Sequence, residues 1–242
     1  MSALPPGRPA QADGLTLAID ASTYAGSVAV LRGTTVVAER VVAMRGEREE
    51  RLMPAVAEAL EAAGAFPTSI ARVVCGGGPG SFTSLRIAAS IAKAMAQAGA
   101  VPLLAVSSLT LIVAGAADVL APGRYLASLD AMRGEWYAAL LCLTAEREVV
   151  ELGAPALVAR DRLEVLASRE SATLVGPAWT QPGPSPTLPP RAAGVAHLLL
   201  ARGGALRAVD LATWEPDYGR LAEAQVRWEA AHGRALSPPS GD

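Results

Sequence analysis

One stretch of the chain joins glycine, serine and arginine in a pattern that suits anion chemistry. It reads GGGPGSFTSLRIAAS over residues 76–90, a glycine-rich turn running into a helical pattern. Glycines let a ligand approach the main chain, and the free N–H groups at a helix start favour an anion. Ser81 or Thr83 stands where an N-cap is needed. Gly80, where the chain turns into the helix, is expected to take a positive φ. Arg86 falls in the first helical turns, beside the positive end of the dipole. An anion there, or an internal carboxylate such as Asp20 or Glu39, would offset that cost. Asp20, Ser22, Gly78, Gly80, Ser81, Thr83 and Arg86 together form a candidate nucleotide or anion corner. The same residues also fit a tight strand–helix corner that only lets two elements pack. The turn lacks the lysine of a P-loop, and its glycines miss the dinucleotide spacing.

Two carboxylates end apolar runs. Asp20 closes LTLAID and Asp130 closes RYLASLD. Facing one another across two halves, such groups hold a metal–nucleotide complex in an active enzyme. Equally, each caps the turn after it, and no glycine-rich turn is visible near Asp130. Catalytic constellations are missing. His197 and His232 fall in late helical segments, His232 beside Gly233 as a C-terminal cap. No Ser–His–Asp or Cys–His pattern can be placed, and GPGSF lacks the spacing of a nucleophile elbow. No metal site is expected.

The elements that must position these groups follow from composition and period. The 242 residues suffice for one large domain or two small ones. Half are apolar, mostly through alanine, while aromatics are 4%, which favours closely packed helices. A net charge of −2 argues against a stand-alone nucleic-acid binder, which is usually basic. Cys75 and Cys142 make no disulfide or metal framework, consistent with a reducing compartment. Residues 1–13 lack an apolar core and are expected to be a disordered lead-in rather than a secretory signal. The apolar run 101–123 is long enough to raise the membrane question. Ser107, Ser108 and Thr110 inside it, and the proline and glycine around it, make it a buried strand followed by a buried helix capped by Ser107 or Ser108. A soluble cytosolic protein is expected.

LTLAIDAS, GSVAVLRG and TTVVAERVVAM read as a three-stranded meander. Leu52, Val56 and Leu60 recur every four residues in a helix ended by Gly64. IARVVCGG is a strand, and SFTSLRIAASIAKAMAQAG a helix ending at Gly99. The second half restarts: LASLDAMRGEWYAALL repeats the strand, Asp-Ala turn and alternating strand of LAIDASTYAGSVAVL. REVVELGAPALVA follows as strand, RDRLEVLAS as helix, ATLVG as strand, a proline-rich loop over 180–190, then helices AAGVAHLLLARG and 222–234.

LAIDAS…SVAVL, ERLMPAVAEALEAAG, GGGPGSFTSLRIAASIAKAMAQAG, VPLLAVSSL, SLDAMRGEWYAAL and EPDYGRLAEAQ occur in one order. From about Leu15 to Gln225 that order resembles the TsaB (YeaZ) family of bacterial tRNA threonylcarbamoyladenosine synthesis. The resemblance implies an α/β actin/hexokinase-like ATPase fold of two related lobes, the second degenerate: 14–113 and 114–235, with a tail 236–242. It implies a non-catalytic dimerisation subunit without a cofactor. Its partners would be the catalytic TsaD and the ATPase TsaE, with tRNA reached only through the complex and a homodimer open to the free chain. TsaD carries a His-x-x-x-His metal site on a helix whose equivalent here, VSSLTLIVAG over 106–115, has no histidine. An active ATP-dependent transferase or kinase of the same fold, and a protease of TsaD, are the alternatives. The family's usual glycines are replaced by Ser84 and Ala88. Its Asp-Ala-Arg reads Asp130-Ala131-Met132 with Arg133 one place on, and its histidine ahead of the first helix is replaced near Arg48. A four-helix partner interface is implied, for which the alanine-rich helices supply Leu52, Val56, Ala59, Ala63, Ala88, Ala89, Ala92 and Met95.

Overall fold

The computed structural model describes residues 14–44, 50–179, 187–199 and 205–219. The expected lead-in, the position near Arg48, most of the proline-rich loop, the end of the 192–203 helix, Arg220, the 222–234 helix with His232 and the tail lie outside them.

The chain opens with β1 (Leu15–Asp20), buried along its whole length, β2 (Ala25–Arg32) and β3 (Thr35–Ala43). Gly33 makes the β2–β3 turn at φ 59°. Helix α1 (Leu52–Ala62) starts where the Leu52 and Met53 N–H groups donate to the Glu50 carboxylate. It stops at Gly64, φ 60°, a left-handed position that glycine takes without strain. Then come β4 (Ile70–Gly76), α2 (Phe82–Gly99), β5 (Leu103–Val106) and α3 (Ser108–Ala114). The left-handed residue that ends α2 is Ala100, one place past the expected glycine.

The second half contains β6 (Gly123–Asp130), β7 (Glu135–Leu143), β8 (Val149–Glu151), β9 (Ala156–Ala159), α4 (Arg160–Arg169), β10 (Thr173–Val175), α5 (Val195–Leu198) and β11 (Arg207–Ala208). The run REVVELGAPALVA is two short strands rather than one, because Gly153 and Pro155 interrupt the ladder.

The first sheet has the order β11-β5-β4-β1-β2-β3, with β1 antiparallel to β2 and parallel to β4. The second runs β10-β6-β7-β8, with β9 also on β7; β6 is antiparallel to β7 and parallel to β10. Each half therefore makes a hairpin, adds antiparallel strand, crosses by a helix, and returns parallel to its first strand. This is the two-lobed actin/hexokinase-like α/β fold. The second copy is reduced: after β10 its described helical part is the 3-10 turn Ala192–Gly194 and the four residues of α5. The first sheet gains a sixth strand from late in the chain, since β11 pairs with β5 and Val209, Leu211 and Trp214 pack on the first core. A two-residue strand carries no periodicity, so no sequence signal marked it.

Helices α1 and α2 cover one face of the first sheet through Leu52, Val56, Ala88 and Ala92 against Leu17, Ile19 and Val28. Helix α3 fills the space between the sheets, with Leu109, Leu111, Ile112 and Val113 packed with Ala18, Leu31, Leu129 and Leu141. All seven of its residues are buried. That explains the uniformly apolar run: a central helix has no solvent face. Among the described residues no helix is long and apolar enough to cross a membrane.

Candidate functional site

The end of β1 and the β4–α2 turn meet beneath α3. Asp20 is fully buried. Its Oδ1 accepts the Ser22 N–H at 3.1 Å and the Ser22 hydroxyl at 2.9 Å, and its Oδ2 accepts the Ser108 hydroxyl at 2.6 Å. Ser108 Oγ in turn accepts the Gly78 N–H at 3.1 Å. Four backbone bonds close the turn: Gly77 N–H to Val106 O, Ser81 N–H to Ser22 O, Ser108 N–H to Gly78 O and Asp217 N–H to Gly77 O, all between 2.7 and 2.8 Å. Ser107 caps α3 by accepting the Leu109 N–H at 3.3 Å.

The glycines are needed for what lies against them. A Cβ on Gly76 would overlap Asp20 Oδ2, one on Gly78 the carbonyl oxygen of Asp217, and one on Gly80 the carbonyl oxygen of Ser22. The positive φ falls on Gly78, at 91°, and not on Gly80 as expected. Gly80 serves close approach of two backbones instead. Each space left by a missing side chain is thus occupied by the chain's own atoms.

The candidate corner divides. Asp20 and Gly78 are enclosed, while Ser22, Gly80 and Ser81 line a cleft of about 740 Å³ between the sheets. Asp130 lines the opposite side, with Met132, Arg133 and Pro177. Thr83 and Arg86 lie outside that lining. Ser81 is the N-cap residue of α2, although its hydroxyl meets Ser84 Oγ at 3.1 Å rather than a helix N–H. Arg86 is exposed, its guanidinium 5.3 Å from the Phe82 ring centroid. Neither internal partner expected for it is available. Asp20 is held by serines, and Glu39 pairs with Arg191, the Arg191 Nε donating to Oε1 at 3.0 Å.

Asp130 accepts the Met132 N–H at 2.7 Å, the turn-capping role. The turn after it holds Met132 and Arg133 at φ 66° and 58°, unusual for non-glycine residues. Asp130 does have a glycine–proline turn facing it. Gly176-Pro177 follows β10 as Gly78-Pro79 follows β4, and a Cβ on Gly176 would overlap Ser128 O. The repeat was readable in the two Gly-Pro pairs, each after a strand in the same topological place. Ser108 and Asp217, which close the corner, were not found from sequence. Their roles depend on contacts 88 and 140 or so residues away in the chain, between elements with no shared period.

Burial raises the Asp20 pKa above its ordinary value of 3.8, with the hydrogen bonds from Ser108 and Ser22 opposing that rise. A carboxyl whose folded pKa is raised favours folding most when protonated. Its contribution falls as pH climbs from 3.8 through the folded value. The difference in unfolding free energy between the parent and Asp20→Asn is therefore expected to shift in favour of the variant between acid and neutral pH. Denaturant titrations across that range check this, and a difference constant with pH would contradict it.

The eight residues expected at a partner interface are placed differently. Leu52, Val56, Ala59, Ala88, Ala89 and Ala92 are buried in the chain's own core, and Ala63 and Met95 are half-buried. The four-residue recurrence that marks a helix marks its sheet-facing stripe. The outward surface is instead Met53, Ala57, Glu61 and Ala94, with Ile87 and Ile91 half-exposed between the helices. Ala92→Arg is accordingly expected to unfold the chain, at roughly 4 kcal/mol or more for a charge left unpaired in the core. Loss of the circular-dichroism melt is the check.

Residues 43–166 match the family model for TsaD, tRNA N6-adenosine threonylcarbamoyltransferase. The chain is 31% identical over 234 residues to the tRNA threonylcarbamoyladenosine biosynthesis protein TsaB of Bacillus subtilis, covering 88% of this chain and 96% of that one. The chain belongs to the TsaB family. It is also similar to TsaB of Escherichia coli, at 39% identity over 121 residues, 50% of this chain and 52% of that protein. Among solved structures, YeaZ from Pseudomonas aeruginosa superposes with a TM-score of 0.69 at 27% identity, over 84% of this chain and 98% of that one. A second Pseudomonas aeruginosa structure, described as similar to peptidase YeaZ, gives 0.71 at 28%, over 86% and 100%. The two Pseudomonas aeruginosa structures thus share the overall fold over most of this chain.

Proposed function

We propose that the chain is a non-catalytic scaffold subunit in tRNA threonylcarbamoyladenosine synthesis. It acts by pairing with TsaD, with TsaE as a further partner, and reaches tRNA only through that assembly. Its place in the pathway rests on its TsaB relatives, which are named for it. The observation that carries the non-catalytic reading is the filled glycine corner. A phosphate would need the room that Asp20 Oδ2, Asp217 O and Ser22 O take. Nor do the residues fit a metal–nucleotide complex. Asp20 is fully buried, and both its oxygens are engaged by serines. The stretch 106–115, equivalent by resemblance to TsaD's metal helix, has no histidine, and the hydroxyl of Ser108 in it is already bonded on both sides. A carboxyl group whose oxygens are both taken up by internal hydrogen bonds is a poor ligand for a divalent ion.

Among the described residues no nucleophile–base pair supports the peptidase label of one structural relative. His197 pairs with Asp118 at 3.4 Å, and neither lines the 740 Å³ cleft.

The partner surface we assign is the outward side of α1 and α2, built around Met53, Ala57, Ile87, Ile91 and Ala94. Small residues there let a second helix pair approach to about 8–10 Å. Co-purification of the tagged chain with the cell's own TsaD tests the proposal, alongside ATP turnover by the isolated chain. Stoichiometric TsaD and background turnover are expected. Rapid turnover without TsaD would overturn the reading.

A further inference from the structure

The chain passes from the first sheet to the second through residues 115–122, between α3 and β6. Any change in the opening of the cleft would have to flex that segment. Side chains from the second sheet hold its carbonyls. Arg147, in the turn between β7 and β8, donates from one guanidinium nitrogen to Ala117 O at 2.9 Å and to Leu120 O at 2.6 Å. Tyr125 on β6 donates its hydroxyl to Ala121 O. Arg147 takes φ 66°, at the place in such a turn where glycine is usual. A glycine would make the turn with less strain, but it would leave both carbonyls without this donor.

Two further ties join the sheets at opposite edges, since β11 and β3 end the strand order of the first sheet. At the β11 edge, the Glu151 carboxylate of β8 accepts the Thr110 hydroxyl of α3 at 2.7 Å and stands 3.4 Å from the Arg207 guanidinium of β11. At the β3 edge, Arg191 grips Glu39 with two nitrogens, Nε donating at 3.0 Å. The next residue, Ala192, donates its N–H to the buried Ser27 hydroxyl of β2 at 2.9 Å. A two-point grip fixes direction as well as distance. The Glu39 and Glu151 side chains are largely buried, so salt screens these pairs less than it would a surface pair. Ties at both edges oppose rotation about any axis between them.

We propose that Arg147 is a hinge lock. With the ties at Glu39 and Glu151 it holds the two sheets at one opening, and the cleft of about 740 Å³ is a fixed feature of the frame rather than one that opens and closes. Arg147 acts by position: it touches no residue of the filled corner and makes the crossing segment part of the second sheet's rigid body.

Spin-label distances on the free full chain test this without TsaD or tRNA. Phe66 and Val165 are exposed, one beside the first sheet and one on α4, and take labels as cysteines in a Cys142→Ala chain, Cys75 being fully buried. One narrow distance distribution is expected for that chain. Arg147→Met keeps the apolar stem and removes the donors, and is expected to widen the distribution at least about twofold. A label pair within the second half, at the exposed Leu152 and Val165, should stay narrow, which separates a freed hinge from a loosened lobe. A broad distribution in the parent overturns the proposal. So does an unchanged width in Arg147→Met, or a widening that appears equally in the Leu152–Val165 pair. If Arg147→Met does not fold, Arg191→Met with Arg207→Met decides, since both side chains are exposed. Widening between Phe66 and Val165 then supports the lock, and an unchanged width overturns it.

Discussion

Gly80→Val is expected to be among the most damaging single changes that leave charge untouched. Its Cβ would overlap the Ser22 carbonyl oxygen, and Ser22 cannot yield because its carbonyl accepts the Ser81 N–H at 2.7 Å and its hydroxyl holds Asp20. Overpacking against a fixed backbone costs at least about 3 kcal/mol. For a chain of this size that lowers Tm by roughly 6–12 °C. Gly76→Ala should be comparable, since its Cβ would displace the Asp20 carboxyl from Ser108. Two controls bracket the effect. Ser84→Gly loses the contact with Ser81 Oγ and adds a helix-interior glycine, about 0.5–1 kcal/mol. Gly123→Ala meets nothing within 4 Å and should change stability by less than about 0.5 kcal/mol. Thermal melts rank the four. Equal Tm for Gly80→Val and the parent would refute the filled-corner argument.

The second large effect is expected on assembly, with stability nearly unchanged. Met53 is 45% exposed, and Ala57 on α1 and Ala94 on α2 are exposed. An Ala57→Arg, Ala94→Arg double variant introduces two charges at the centre of the assigned surface. Desolvating them without partners costs several kcal/mol on association, which is a loss of at least about 10²–10³-fold in affinity. TsaD should disappear from the co-purified fraction while the melt of the chain moves by less than about 1 kcal/mol. Retained TsaD would place the interface on another face.

How much of this was legible depends on the range of the interaction. The meander β1–β3, helices α1 and α2 and the strand–helix pair β5–α3 were readable because each is set by local period and by Gly or Ser punctuation. Leu52, Val56 and Leu60 located α1, and the pair Ser107 and Ser108 the start of α3, where Ser107 is the cap. The same period misled where a surface was sought. Val56 and Ala92 recur because they face the sheet, so they could not also face a partner. The corner itself was visible as GGGPGSF, but not its contents. What fills it comes from Asp217, which reaches it only after the chain has built the second lobe and come back beside β5. Arg86 shows how local the dipole argument is. Pairing with Asp20 or Glu39 was one way to offset the dipole cost, but both carboxylates are bonded elsewhere and the exposed guanidinium stands over the Phe82 ring. The reduced second lobe kept its strand order, and its longest described helix, α4, was legible in RDRLEVLAS.

The most direct test of a scaffold without its own chemistry is reconstitution of threonylcarbamoyladenosine on tRNA with TsaD and TsaE. The chain supplied would carry Asp20→Asn and Asp130→Asn together. Both substitutions keep the side-chain shape, the Ser22 donors to position 20 and the Met132 cap at position 130. They remove the strand-end charges that a metal–nucleotide site would require. Modified adenosine is then expected at a rate within about twofold of the parent chain, a difference below roughly 0.5 kcal/mol in the barrier. A folded double variant that still binds TsaD but slows modification by 10²-fold or more would contradict the scaffold and place catalysis in this chain's own cleft.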